Sequence, residues 1–187
     1  MKNILTLVVC IYAFLPIYSQ QVNGTVVSSE GEFKVVKVWG THEERGYAAG
    51  FLLGAETNDL YINYLLPSFG SYYTTARDML TTDVHLKIDS VYIYEAMAMA
   101  DGLNDSGEFD DEIDYIDVLL ANCFLDFQNF IGKGLDMENG CSSLISWGSA
   151  TENTELDGKS VLSRHLDWST QQAILRTQVM VIHFPAE

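Results

Sequence analysis

Positive charge is scarce in this chain. Its 187 residues carry 10 Lys and Arg against 26 Asp and Glu, a formal net charge of −16. A nucleic-acid-binding face needs clustered cations to displace counterions from phosphates, so this balance argues against one, and it disfavours docking on an anionic membrane surface. Cysteine is also sparse, at three residues. His42, His85 and His183 show no ligand spacing, which argues against a zinc site. No internal repeat or low-complexity linker is present, and beyond the first 19 residues no apolar run approaches the ~20 residues that span a bilayer. Hydrophobic residues make up 48% and aromatics 12%, too many for a disordered acidic chain. The length suits one domain of ordinary size with a sizeable core.

Residues 1–19 read as a secretory signal peptide. Lys2 gives a positive start, Ile4 to Phe14 are apolar except for Thr6, and Pro16 and Ser19 suit cleavage before Gln20. The expected location is secreted or periplasmic, or lysosomal in a eukaryote. Export leaves Cys123 and Cys141, which can form one disulfide or leave one working thiol.

Along the mature chain, Phe33–Trp39 reads as a strand broken by Gly40. Thr41 is a good N-cap for a helix reaching Glu56, with Glu43 and Glu44 in its first turn and small Gly46, Ala48, Ala49 and Gly50 allowing a near neighbour. Arg45 on this helix reads as a surface or ion-pair residue. Asn58–Leu66 is apolar and aromatic and is expected to stop at Pro67. Thr82 to Met99 reads as a helix, with Val84, Ile88, Val91 and Ala98 on one side.

Asp101 to Asp117 holds eight acids and no base. A calcium loop starting at Asp101 fails, because position 3 is Leu103 and position 6 is Ser106. The reading is a solvated loop followed by the acidic start of a helix. That helix follows from Ile113, Ile116, Leu120, Phe124 and Phe127 through Ile131, with Cys123 beside its apolar stripe. Asn23-Gly-Thr25 and Asn104-Asp-Ser106 are glycosylation sequons, relevant in a eukaryote.

The informative stretch is Asn139-Gly-Cys-Ser-Ser-Leu-Ile-Ser-Trp-Gly148, a polar loop, then Gly158-Lys-Ser-Val-Leu-Ser-Arg-His-Leu-Asp-Trp168. It reads as a strand from Cys141 and a returning strand from about Lys159. A hairpin centred near Thr154 sets Asp167 opposite Cys141 and brings Arg164 and His165 to the same neighbourhood. Strict alternation puts Arg164 and Asp167 on opposite faces, so both reach one thiol only if the strand bulges or ends between them. Ser142 and Ser143 read as strand residues, since no Gly-x-Ser-x-Gly elbow surrounds them.

A Gly140-Cys141 junction opening a strand, with Arg-x-x-Asp on the next, resembles the N-terminal-nucleophile (Ntn) hydrolases. The nearest branch is the penicillin acyltransferase-like (acyl-CoA:6-aminopenicillanic acid acyltransferase) family, related to choloylglycine hydrolase and acid ceramidase, with phospholipase B-like proteins second. The family motif Gly-Arg-Asn-x-Asp-aromatic stands here as Ser163-Arg164-His165-Leu166-Asp167-Trp168, so Ser163 replaces Gly and His165 replaces Asn. His42-Glu-Glu-Arg-Gly46 and Glu95-Ala-Met-Ala-Met-Ala-Asp-Gly102 look like segments of that family's propeptide.

The resemblance implies a secreted zymogen that cuts itself between Gly140 and Cys141. In such enzymes the thiol attacks the preceding carbonyl, the acyl group shifts from nitrogen to sulfur, and water cleaves the ester. Gly140 has no Cβ to crowd that attack. The freed α-amine, with a pKa of ~7.7–8.0, can then take the thiol proton. Arg164 would favour thiolate, Asp167 would hold the α-amine, and His165 would be a neighbour of the site. No residue clearly supplies an oxyanion hole.

The implied activity is hydrolysis or acyl transfer on non-peptide amide bonds of N-acyl small molecules, through a thioester on Cys141. No cofactor or metal is implied, and the partners are the acyl amide substrate and the protein's own cleaved propeptide. The expected organisation is a signal peptide (1–19), a mainly helical propeptide (20–140), and the start of a catalytic domain (141–187). The expected fold class is α+β, the opening part of an αββα sandwich. Val179–Phe184 reads as a strand without its partner, and the chain reads as an N-terminal fragment, inactive alone. The alternatives are a phospholipase B-like hydrolase, or a non-catalytic secreted module with a Cys123–Cys141 disulfide.

Overall fold

The computed structural model describes residues 20–30, 33–82, 87–124, 140–167 and 170–186, with backbone alone at 140, 141 and 164–167. The signal peptide lies outside the described residues, as does the tail of the helix expected to reach Ile131.

The fold is α+β. Strand β1 (Gly24–Glu30) turns back into β2 (Phe33–Gly40) as an antiparallel pair with an irregularity between Val26 and Ser28. Helix α1 (His42–Leu52) follows at once. Its capping box is complete: the Glu44 backbone N–H donates to Thr41 Oγ1 at 3.2 Å, and the Thr41 N–H donates to the Glu44 carboxylate at 2.7 Å. Alternation along β2 buries Val36 and Val38 completely. Phe33 and Trp39, in the other phase, remain exposed.

The expected single helix to Glu56 ends at Leu52, and α2 (Gly54–Leu60) begins two residues later. Pro67 does not stop the following segment. Instead the helix widens into a π turn (Tyr61–Leu65) and continues as α3 (Leu66–Phe69). Proline has no N–H to give and crowds the carbonyl four residues back, and a wide turn ahead of it relieves both problems. There the Leu66 N–H reaches the Tyr61 carbonyl instead.

A short 3₁₀ turn leads into α4 (Tyr73–Thr82). The helix expected from Thr82 starts at Ser90, capped by Asp89, whose carboxylate accepts from the Val91 N–H at 3.1 Å. This helix, α5 (Ser90–Asp105), runs through Asp101 and Asp105, so the acid-rich stretch is helical at its start rather than a loop. Helix α6 (Tyr115–Asn122) is capped by Asp114 in a second capping box, with Asp117 as the reciprocal acid.

Helices α1 and α5 meet almost backbone to backbone. A Cβ on Gly46 would lie 2.4 Å from the Glu95 carbonyl oxygen, one on Gly50 2.2 Å from that of Met99, and one on Gly102 2.2 Å from that of Tyr47. The small residues thus do what the sequence suggests. Arg45 corrects the expectation of a surface residue, being only 6% exposed, with Nη1 donating to the Gly40 carbonyl at 2.5 Å.

Two apolar clusters form the core. One gathers Tyr64, Leu65, Phe69, Leu120 and Phe124, with the Phe69 and Phe124 rings edge to face at 5.2 Å. The other gathers Ala96, Ala100, Leu103, Ile113 and Leu119, and Tyr61 and Leu80 pack against both.

Strands β3 (Gly140–Ser146) and β4 (Val161–Asp167) form a separate antiparallel pair. A short helix α7 (Gln172–Arg176) precedes β5 (Gln178–Pro185). The strand expected to lack a partner has one: β5 pairs in parallel with β2 from Phe33↔Gln178 to Gly40↔Pro185, giving a sheet of order β1-β2-β5. The sequence signal missed this because the partner lies at the opposite end of the chain.

Candidate active site

The β3–β4 hairpin carries every residue singled out by sequence. Its loop is held by its own backbone. Gly148, at φ 57°, donates its N–H to the Gly158 carbonyl at 3.2 Å, and Gly158, at φ 77°, donates to the Thr151 carbonyl at 3.3 Å. Both are left-handed positions that glycine adopts without a Cβ penalty. Thr151 is buried, and its hydroxyl donates to the Lys159 carbonyl at 2.9 Å. These bonds fix the register of the two strands.

That register pairs Gly140 with Asp167, Cys141 with Leu166, Ser142 with His165 and Ser143 with Arg164. It is one residue away from the expectation of Asp167 opposite Cys141. Pairing is one-to-one from Val161 to Asp167, without a bulge, and Asp167 is the last paired residue. In backbone phase Arg164 is therefore in step with Cys141, while Asp167 is in step with Gly140, on the other side of the peptide bond at issue. Neither condition for bringing Arg164 and Asp167 to one face is met, because the strand neither bulges nor ends between them, and the two residues stay in opposite phase.

Both faces of this hairpin expose apolar side chains, Leu144 on one and Ile145 and Leu162 on the other. Leu144 is 68% exposed, Leu162 66% and Trp147 63%, and Ile145 is also exposed. Exposure of this kind in contiguous residues marks a surface meant to be covered.

The two segments that resemble propeptide motifs meet in space. His42 Nδ1 lies 2.6 Å from a Glu95 carboxylate oxygen, at the closest approach of α1 and α5, and the His42 ring stands edge-on to Tyr92 with centroids 6.3 Å apart. Beneath them Tyr47 donates its phenol to Asp105 at 2.8 Å. Burial first, then that bond and the charges of Asp105 and Asp101, push the Tyr47 phenol up to about 12.

A third polar group was not found from sequence. Arg77 on α4 reaches both acids of the α6 capping box, donating Nη1 and Nη2 to Asp114 at 3.0 and 2.5 Å and also pairing with Asp117. Tyr73 donates to Asp117, and its hydroxyl is in contact with that of Tyr61. The hydrogen bonds from Arg77 hold the Asp114 carboxyl below the usual carboxylate range, while those to Asp114 foremost raise Arg77. The paired acids, Asp114 and Asp117, sit at the expected acidic helix start, while Glu108, Asp110, Asp111 and Glu112 in the loop before it are exposed. The only sequence signal was a base at Arg77 in a chain with few of them.

Among the described residues, no group of three or more His, Cys, Asp or Glu side chains is placed to hold a metal ion. No helix there is long and apolar enough to cross a membrane. Cys123 is half-buried at the C-cap of α6, with its N–H on the Leu119 carbonyl at 2.9 Å. Compared with protein-family models, with curated proteins and with solved structures, the chain finds no match.

Proposed function

We propose that this chain belongs to a secreted cysteine Ntn hydrolase or acyltransferase, made as a zymogen and cut by its own thiol between Gly140 and Cys141. The sulfur would attack the Gly140 carbonyl carbon, the C–N bond would break as the amide nitrogen takes a proton, and water would then release Gly140 as a carboxylate. The thiol, with its freed amino terminus as base, would next take an acyl group from an amide of a small amine. Water or a second amine would discharge the thioester. The catalytic residues are Cys141, Arg164 and Asp167, with His165 beside them.

The observation that carries this reading is the hairpin register. Asp167 pairs with Gly140, immediately before Cys141, and Arg164 runs in phase with Cys141 two residues from its partner. This chemistry needs a carboxylate for the new amino terminus and a guanidinium for the thiol, and the backbone register brings the residues that carry them into this neighbourhood. Two further features support an αββα sandwich. The β1-β2-β5 sheet carries helix α1 on one face and leaves Phe33, Trp39, Met180 and Phe184 exposed on the other, while the hairpin is bare on both faces, with Leu144 on one and Ile145 and Leu162 on the other. Sheets with one covered and one bare apolar face suit face-to-face packing.

The test is amino-terminal sequencing and intact mass of the protein expressed from its complete gene. The expected product begins Cys-Ser-Ser, and Cys141→Ala stays uncut. An intact Gly140–Cys141 bond in a protein that still turns over an amide would overturn the reading. So would a Cys123–Cys141 disulfide seen in the unreduced mass.

A further inference from the structure

Where the two core clusters meet, α2, the π turn, α5, α6 and the loop after α5 line a half-open pocket of about 250 Å³. Its walls are mostly apolar, with Leu60, Tyr61, Leu65, Leu103, Phe109 and Val118 among them, and Thr57 and Asn122 are its neutral polar members. An engineered apolar cavity of about 150 Å³ takes up benzene. This one has room for a ring or for a chain several carbons longer. The π turn contributes both Tyr61 and Leu65 to the wall, and wide turns of this kind recur where a helix is shaped around a ligand.

One charged residue, Asp117, borders the cavity. Among the described residues its Oδ1 receives Arg77 and Tyr73, and its Oδ2 receives the Asp114 N–H alone, at 3.1 Å. A carboxylate oxygen can accept two bonds, and among the described residues Oδ2 accepts one. Arg77 brings one positive charge against the carboxylates of Asp114 and Asp117, which leaves the cluster net negative. An anionic headgroup placed there would meet like charge in a low-dielectric setting, whereas a hydroxyl or amine could donate to Oδ2.

We propose that this cavity binds a short aliphatic or aryl group carrying a neutral or cationic hydrogen-bond donor, and that it rejects carboxylates of the same length. The site is independent of Cys141 and of any cleavage.

The test compares octan-1-ol with octanoate, below micellar concentrations, on the full-length protein, by protein-observed NMR and thermal midpoint. The alcohol should bind and raise the midpoint, with octanoate at least about tenfold weaker. Ala121 lines the cavity, so Ala121→Phe should fill it and abolish alcohol binding. Circular dichroism checks that variant's fold, and Ala121→Leu, the smaller filling, should weaken binding if the Phe variant does not fold. Equal binding of octanoate, no binding of either probe, or alcohol binding unchanged in the folded filled variants would overturn the proposal. Cys141→Ala should bind as the unaltered protein does, which separates failure here from failure of the proposed catalysis.

Discussion

At the scale of single residues, stability concentrates in a few buried polar contacts. Replacing Arg77 by Met strands Asp117, which is largely buried, and breaking such a pair from one side costs about 3 kcal/mol. Urea denaturation should show the Arg77→Met midpoint well below that of the unaltered protein. Acid should act through the same contact. The Asp114 carboxyl is held below its ordinary value, so its contribution is complete above about pH 4 and is lost as pH falls through the lowered value. Asp59, lowered mainly by its hydrogen bond from Arg176, works in the same direction. Thermal midpoints measured from pH 6 down to about pH 2 should therefore fall, and Asp114→Asn should flatten part of that fall.

None of this pairing was legible in the sequence. The partners lie 37 and 40 residues apart, and composition sees only acids that water could solvate. The Asp114 cap could be read, since an acid ahead of an apolar period marks a helix start on local grounds.

Among elements, the α1–α5 contact is where residue size decides the outcome. Gly50→Ala gains about 1 kcal/mol of helix propensity. Its new Cβ would sit 2.2 Å from a backbone oxygen that cannot rotate away, and forcing such a contact costs typically 1–3 kcal/mol. The net sign should be destabilising, and Gly102→Ala should behave alike, both visible as lowered thermal midpoints. The small residues of α1 announced this contact, while its partner did not announce itself.

Helix boundaries were less legible. Thr81 and Thr82 both bond back to the Asp78 carbonyl, at 3.0 and 2.6 Å, and so close α4 where a start was expected. The hairpin was read to within one residue because the polar loop between its apolar strands has its middle near Thr154, close to the true turn. Parity made that one residue matter, exchanging which neighbour shares a phase with Cys141.

For the whole molecule, the decisive feature is the parallel pairing of β2 with β5. It ties sequence on both sides of the Gly140–Cys141 bond into one sheet. If that bond is cut, the two pieces should elute together on size exclusion in native buffer and part only in denaturant. Pieces that run apart in native buffer would show that the sheet does not hold them. Individual helices and strands were legible from periodicity and the α+β class came with the family resemblance, but the sheet order was not legible, since no local pattern names a partner across most of a chain.

The same pairing sets an order on the ribosome. β2 leaves the exit tunnel early, while its neighbour β5 follows only after every described helix and the hairpin. Throughout that interval one side of β2 offers unpaired amides and carbonyls to whatever passes, so the nascent polypeptide is most exposed to wrong pairing during translation.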